Sequence, residues 1–142
     1  MREDDPYDLN RFVAAQDLVF AQVRQELRAG RKRSHWMWYV FPQIAGLGSS
    51  AMNARYAISS LDEARAYLAR PLLGGRLREC VELVLAVEGR DAHAIFGSPD
   101  DMKFHSSMTL FALAVPEVPL FQRALEKYFG GVLDAATLRL VG

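Results

Sequence analysis

The 142-residue sequence contains a single cysteine, Cys80. One cysteine excludes an internal disulfide and a cysteine-based zinc site, and it is consistent with a reducing, cytoplasmic location. The three histidines, His35, His93 and His105, do not have the spacing of a metal-binding motif. We therefore expect neither a metal site nor a bound cofactor.

The sequence also lacks long apolar runs and a net charge. It has no stretch of roughly 18 apolar residues, and residues 1–5 are charged rather than signal-like, so we expect no membrane partner. Lys plus Arg and Asp plus Glu number 17 each, so no overall positive field would recruit nucleic acid. Four basic residues within 28–33 can hold one phosphate group, but they are too few to bind a duplex.

The sequence is rich in amphipathic helical periodicity. Its length and its 51% apolar content suit one domain with a sizeable core. We predict an all-α fold, a single compact domain over 1–142, with about five to seven helices, no significant sheet and a flexible lead-in over 1–7. The first helix is predicted over 9–29, with Asp8 or Asn10 as its cap. Further helix caps are predicted at Ser34, Ser50, Ser60, Asp91, Ser98 and Asp134.

The most unusual stretch is His35–Gln43, called here the aromatic block, which holds both tryptophans of the chain, Trp36 and Trp38. It fits a short helix that ends before Pro42, and its aromatic content also suits a strand. We favour the helix because no partner strand is evident. The rings can form a stacking platform for a flat ligand, or they can be the centre of the core, which is the commoner fate of aromatic residues.

Two polar features accompany the block. The loop Gly46–Ser50 has the small residues and the donors of a phosphate cradle, although it lacks the Walker A and dinucleotide-binding patterns and a plain turn is the commoner explanation. The predicted helix 99–114 carries Lys103, Ser106 and Ser107 among apolar residues. Its hydroxyls can bond back to helical carbonyls or can line a polar cleft against the aromatic block.

The sequence resembles a known family. His-Trp-Met-Trp-Tyr-Val-Phe-Pro-Gln at 35–43, Gly-Leu-Gly-Ser at 46–49 and Ser-Ser-Met-Thr-Leu-Phe at 106–111 resemble the hallmark of a bacterial family known as domain of unknown function 1810. The resemblance covers nearly the whole chain and implies an all-helical single domain, with no established activity. A fainter likeness, in Phe96-Gly97 and Asp100 before a Lys/Ser/Met helix, is to helical enzymes that hydrolyse N-glycosidic bonds of ADP-ribose-like or riboflavin-pathway compounds.

Our first hypothesis is that a small phosphorylated or nucleotide-like ligand binds in a cleft between segment 31–50 and helix 98–109. His35 and Asp100 are the candidates for proton transfer if a reaction occurs. One alternative is a non-catalytic interaction or homodimerisation module that uses the aromatic patch, and another is the N-glycosidic hydrolase. We expect a monomer or a weak homodimer. The candidate ligand-binding residues are Lys32, Arg33, Trp36, Trp38, Gln43, Gly46, Gly48, Ser49, Lys103, Ser106 and Ser107.

Overall fold

The computed structural model describes residues 5–141, and this part of the chain forms ten α-helices and no sheet. Helix α8 occupies the centre, because it packs against α5, α7, α9 and α10. The helices are α1 Asn10–Asp17, α2 Phe20–Arg28, α3 Met37–Val40, α4 Ala51–Tyr56, α5 Leu61–Ala69, α6 Pro71–Ala86, α7 Ala92–Phe96, α8 Asp100–Ala114, α9 Pro119–Phe129 and α10 Ala135–Val141.

The all-α prediction is confirmed, and the described helices outnumber the five to seven expected. Two causes account for the difference. The predicted first helix is interrupted after Asp17, because Val19 leaves the helical region with φ −132° and ψ 0°. In addition, α3, α4 and α7 are separate helices of only four to six residues.

The start of α1 is fixed by Asp5. Residues 1–4 of the predicted flexible lead-in lie outside the described residues, but Asp5 is buried. Its carboxylate accepts the backbone N–H groups of Leu9 at 2.7 Å and Asn10 at 3.0 Å. It also pairs with Arg70 at 3.3 Å. Asp5, rather than the predicted Asp8 or Asn10, therefore satisfies the free N–H groups at this helix end.

Most of the predicted helix caps are confirmed, since the capping signal is local in sequence. Ser98 is an exception, because α8 begins at Asp100 and has no side-chain cap, although Asp100 and Asp101 lie in its first turn where the helix dipole favours negative charge. The side chains that accept the expected N–H groups are Ser50, Ser60, Asp91 and Asp134.

Helix α8 is buried around most of its circumference. A helix in this position is apolar on several faces and therefore shows little amphipathic periodicity. The Ser106 hydroxyl lies 3.1 Å from the Met102 carbonyl, which is one of the two alternatives open from the sequence, and the Thr109 hydroxyl bonds back to the His105 carbonyl at 2.9 Å in the same way. The fully buried residues of α8 include Phe104, Ser107, Met108, Leu110 and Phe111.

The loop after the aromatic block is held in place by one parallel bridge. Ala45 N–H donates to the Ile58 carbonyl, and Ile58 N–H donates to the Gln43 carbonyl, both at 2.9 Å. Ile44 and Ile58 bury their side chains at this bridge. The backbone of Gln43 and the loop that follows it are thus anchored to the segment between α4 and α5.

Cys80 lies on α6 with none of its surface exposed. Burial, reinforced by the nearby Glu79 carboxylate, raises the pKa of its thiol to about 12. The thiol is therefore protonated at neutral pH and has the character of a small core residue. Within residues 5–141, no helix has both the length and the hydropathy that a bilayer crossing requires.

Candidate functional site

The segment leading into the aromatic block is wrapped around one buried carboxylate, Glu26 of α2, which is 3% exposed. Its Oε1 accepts the backbone N–H groups of Arg33 at 2.8 Å and Ser34 at 3.0 Å, and the indole N–H of Trp36 at 2.9 Å. Its Oε2 accepts the Ser34 hydroxyl and the Gln22 amide. The chain itself therefore uses both oxygens.

These hydrogen bonds keep Glu26 ionised, although it forms no ion pair within residues 5–141. Burial would raise the pKa of this carboxyl, but the bonds from Ser34, Arg33 and Gln22 outweigh burial and lower the pKa to about 2. Ser34 is consequently not the helix cap that we predicted from the sequence, since α3 begins without a side-chain cap.

The aromatic block belongs mainly to the core. It is helical only over Met37–Val40, and Trp36 is 1% exposed, which leaves no face of its indole for a ligand. The predicted stacking platform is therefore not formed by Trp36. Tyr39 and Phe41 are also buried, so the block forms no exposed aromatic patch of the kind that the interaction-module alternative requires. Trp38 is the half-buried ring of the four.

The basic run before the block is divided between the protein interior and the surface. Lys32 is 6% exposed at its side chain, pairs with Asp100 at 2.7 Å and donates to the Ser34 carbonyl. Arg33 is exposed, and its backbone N–H is used by Glu26. Lys32 thus ties the segment between α2 and α3 to the first turn of α8.

Asp100 lies between two lysines. Its carboxylate is 2.7 Å from Lys32 Nζ and 3.7 Å from Lys103 Nζ. Two cations around one carboxylate leave the cluster with one surplus positive charge, and Lys103 makes the longer of the two contacts. Asp100 therefore serves as the anion of an ion-pair cluster, and Lys103 has the greater capacity for a further anionic partner.

A groove of about 410 Å³ lies beside this cluster, between loop 43–48, α4, α8 and the start of α10. Its position matches the cleft that we predicted between segment 31–50 and helix 98–109. Four of the predicted ligand-binding residues line it, namely Gln43, Gly48, Lys103 and Ser106. The groove also includes apolar side chains from Leu47, Pro99, Met102 and Ala136, and polar ones from Asn53, His105 and Asp134.

Trp38 lies at the edge of the groove rather than within it. Its indole lines a recess of about 10 Å³ that shares Gln43, Asn53 and Lys103 with the groove. Lys103 Nζ lies 5.2 Å from the ring centroid, a cation–π contact. The recess has room for about one water molecule, so a ligand ring does not fit between Trp38 and the other residues that line it.

Asp134 is the carboxylate of the groove, and the hydrogen bonds that it accepts converge on one of its two oxygens. Its Oδ2 accepts the Thr137 hydroxyl at 2.6 Å, the Thr137 N–H at 3.1 Å and the Ser106 hydroxyl at 3.0 Å. Burial works against ionisation, but these bonds and the nearby His105 ring outweigh it and hold the pKa of Asp134 below its usual range. Within residues 5–141, Oδ1 accepts no hydrogen bond.

His105 is held in a defined orientation beside Asp134. Its ring stacks on Phe129 with centroids 4.1 Å apart, and its Nε2 lies 2.7 Å from the Val132 carbonyl. A carbonyl can only accept, so Nε2 carries the proton and Nδ1 of the neutral ring is an acceptor. Among the described contacts, Nδ1 has no hydrogen-bond partner.

Gln43 and Asn53 supply two carboxamides to the opposite wall, with Gln43 Nε2 3.4 Å from Asn53 Oδ1. Gly48 lies close to Asn53, because a Cβ added at this glycine would lie 2.0 Å from Asn53 Nδ2 and would displace that side chain. The glycine therefore allows the loop to approach the Asn53 side chain closely. A neighbouring depression of about 310 Å³ shares Gln43, Gly48 and Asn53 with the groove and also includes Gly46.

The structure does not bring the remaining predicted residues into the groove. His35 and Ser49 are exposed and do not line it. Ser107 is fully buried, and its hydroxyl is the one buried side-chain polar atom without a hydrogen-bond partner in the described part of the chain. His35 and Asp100 therefore do not assemble as a catalytic pair at this site.

Comparison with known proteins places the chain in a family. A sequence model described as "Protein of unknown function (DUF1810)" matches residues 6–141. The chain belongs to the DUF1810 family. A solved structure is similar throughout, the conserved hypothetical protein Rv1873 from Mycobacterium tuberculosis at 1.38 Å. It is 58% identical with a TM-score of 0.95, over 96% of this chain and 98% of that one. No curated protein matches.

The segments that resembled DUF1810 in the sequence meet at the groove. The end of the aromatic block contributes Gln43, the glycine loop contributes Gly48, and the Ser-Ser-Met-Thr stretch of α8 contributes Ser106. Asn53 and Asp134 also line the groove, although no motif in the sequence marks them as site residues. The position of Asp134 just before a helix predicts a helix cap, and capping alone explains an aspartate there without a role in a binding site.

Within residues 5–141, no three His, Cys, Asp or Glu side chains cluster in a way that could hold a metal ion. The side chains that line the groove offer hydrogen bonding, charge and proton exchange. The lining offers an ammonium and two carboxamides where the groove adjoins the Trp38 recess, and a carboxylate and an imidazole elsewhere.

Proposed function

We propose that this DUF1810 protein binds a small anionic, nucleotide-like molecule in the groove between loop 43–48 and α8. The observation that carries the proposal is the convergence of Lys103, Gln43 and Asn53 on a groove of about 410 Å³. That volume lies within the range of small-molecule sites, which combine mainly apolar walls with a few placed polar groups.

Charge supports an anionic ligand. Lys103 belongs to a cluster with two lysines and one carboxylate, and its distance of 3.7 Å from Asp100 is longer than the 2.7 Å made by Lys32. A ligand phosphate or carboxylate would complete the coordination of this ammonium. The side chain of Lys103 is 20% exposed, so its charge is partly shielded from water and the interaction is stronger than at an open surface.

The rest of the lining supports a ligand with a flat or apolar part. Leu47 and Met102 line the groove, and the side chain of Met102 is 67% exposed to solvent. The carboxamides of Gln43 and Asn53 lie beside Lys103, and their N–H groups can donate to the oxygens of the anionic group. Binding alone accounts for these features, so catalysis is not part of the proposal.

The proposal is tested by calorimetry and thermal unfolding with the four ribonucleoside 5′-monophosphates. A ligand at one hundred times its Kd stabilises the folded protein by about 2.7 kcal/mol. Lys103→Met should weaken binding at least tenfold, because it removes the ammonium charge and roughly keeps the side-chain length. Arg33→Met is the matched control and should leave affinity unchanged, since Arg33 is exposed and does not line the groove.

Two results would contradict the proposal. One is that none of the four nucleotides changes the unfolding temperature or gives a heat of binding. The other is that Arg33→Met weakens binding as much as Lys103→Met, which would place the anion at the basic run instead of at the groove. The predictions of a cytoplasmic location and of a monomer or weak homodimer stay predictions; sedimentation of the free protein tests the second.

A further inference from the structure

The groove is polarised along its length. Its donor groups lie where it adjoins the Trp38 recess: Lys103 carries the positive charge, Gln43 and Asn53 add amide N–H groups, and all three residues line both the groove and the recess. Its acceptor groups, on Asp134 and His105, line the groove but not the recess. On α8 these two sets of groups are joined by Lys103 and Ser106, which are three residues apart and so share one face of the helix.

Each of the two acceptor side chains is hydrogen-bonded to the chain through only one of its polar atoms. The bonds that Asp134 accepts converge on Oδ2, from Thr137 and Ser106, and leave Oδ1 without a donor from the described chain. His105 is fixed through Nε2 by the Val132 carbonyl, which leaves Nδ1 as the unused atom. In each case one atom orients the side chain and the second is available to a ligand.

A phosphate fits the acceptor side poorly. Asp134 keeps its negative charge, because its hydrogen bonds outweigh burial, and two anions at hydrogen-bond distance repel each other. A free carboxylate oxygen, and an imidazole Nδ1 that acts as an acceptor, are satisfied by hydrogen-bond donors without negative charge. Sugar hydroxyls are such donors, and a carboxylate that accepts a ribose hydroxyl is a recurrent arrangement in nucleotide-binding sites.

From this polarity we infer that Asp134 and His105 bind the ribose hydroxyls of the ligand whose anionic group lies at Lys103. The inference rests on the proposed function and specifies the ligand class as a ribose phosphate, with or without a base. The base, where there is one, lies against Leu47 and Met102. Asp134 and His105 are then specificity residues that distinguish ribose from deoxyribose.

The test compares each ribonucleoside 5′-monophosphate with its 2′-deoxy counterpart, and includes ribose 5-phosphate. Calorimetry on the wild-type protein should show about tenfold weaker binding without the 2′-hydroxyl, as expected for one lost hydrogen bond to a charged acceptor. Asp134→Asn should abolish this preference by weakening only the ribonucleotide. Asparagine is also a good helix cap, so α10 should remain folded.

His105→Leu is the second variant and does not involve the cap of α10. It should reduce the preference several-fold while the affinity for the deoxynucleotide is unchanged. Equal binding of ribo- and deoxyribonucleotides by the wild type, together with loss of both in Lys103→Met, would overturn the inference and leave the proposed function standing. No binding by any nucleotide or by ribose 5-phosphate would contradict both.

Discussion

Glu26 and Asp134 are two carboxylates that accept hydrogen bonds and form no ion pair within residues 5–141. They differ in whether one carboxylate oxygen remains without a donor. Glu26 accepts donors on both oxygens, and it is 3% exposed. Asp134 accepts its donors on one oxygen and lines the groove. A carboxylate that accepts hydrogen bonds from its own chain on both oxygens stabilises the fold. A carboxylate with one oxygen free at a groove can accept a hydrogen bond from a ligand.

The largest effect is expected from Glu26→Leu. The change leaves the N–H groups of Arg33, Ser34 and Trp36 buried without an acceptor, which should lower the free energy of unfolding by about 3 kcal/mol or more. In a domain of this size the unfolding temperature should fall by about 10 °C. Urea denaturation measures the change. Glu82→Leu, at an exposed position of α6, is the matched control and should change stability by about 0.5 kcal/mol at most.

The contribution of Glu26 should also depend on pH. Folding lowers its pKa from the ordinary 4.5 to about 2, so its stabilisation is fully present above about pH 4.5 and is lost as the pH falls toward 2. The loss amounts to about 3 kcal/mol, because one pKa unit corresponds to about 1.4 kcal/mol. The stability difference between wild type and Glu26→Gln should shrink over this interval; a difference that is constant with pH would contradict the assignment.

Substitutions at Asp134 should affect stability less. Asp134→Ala removes the cap of α10 and the partner of Ser106, at a cost of about 1–2 kcal/mol in the free energy of unfolding. Asp134→Asn keeps a capping oxygen and should stay within about 0.5 kcal/mol of wild type. Thermal unfolding of both variants checks this. If Asp134→Asn were as unstable as Glu26→Leu, the proposed division between a structural and a ligand-binding carboxylate would fail.

The smallest effect on stability is expected at Gly48. Its backbone tolerates a side chain, but an added Cβ would lie 2.0 Å from Asn53 Nδ2 and would displace that flexible side chain. Gly48→Ala should therefore change the free energy of unfolding by less than about 1 kcal/mol and should weaken nucleotide binding several-fold. Gly75→Ala in α6, where nothing lies within 4 Å of the added Cβ, should raise stability by about 1 kcal/mol and leave binding unchanged.

The features that could be predicted from the sequence are mostly local ones. Ser60 caps α5 because the acceptor and the N–H group of Glu63 are three residues apart. Pro71 begins α6 for a similarly local reason, since its ring suits a first helical position. The position of the groove was predictable too, because the glycine loop and the polar residues of α8 are both unusual for their surroundings.

The misplaced residues depend on partners that are distant in sequence. Lys32 and Trp36 are residue types that are common in ligand sites. In the structure, however, Lys32 forms an ion pair with Asp100, and the Trp36 indole N–H donates to Glu26. Periodicity contains no information about such pairs. His105 and Asn53 are polar residues of helices without a distinctive sequence pattern. They line the same groove only because α4, α8 and the loop between α9 and α10 pack together.

The burial of Cys80 has a practical consequence for all of these measurements. Its thiol is inaccessible and protonated, so the folded protein should react with a maleimide as though it contained no cysteine. A cysteine introduced at Met102, which is 67% exposed and lines the groove, would be the single labelling site without any other change to the chain. A fluorophore attached there can report directly whether the groove is occupied.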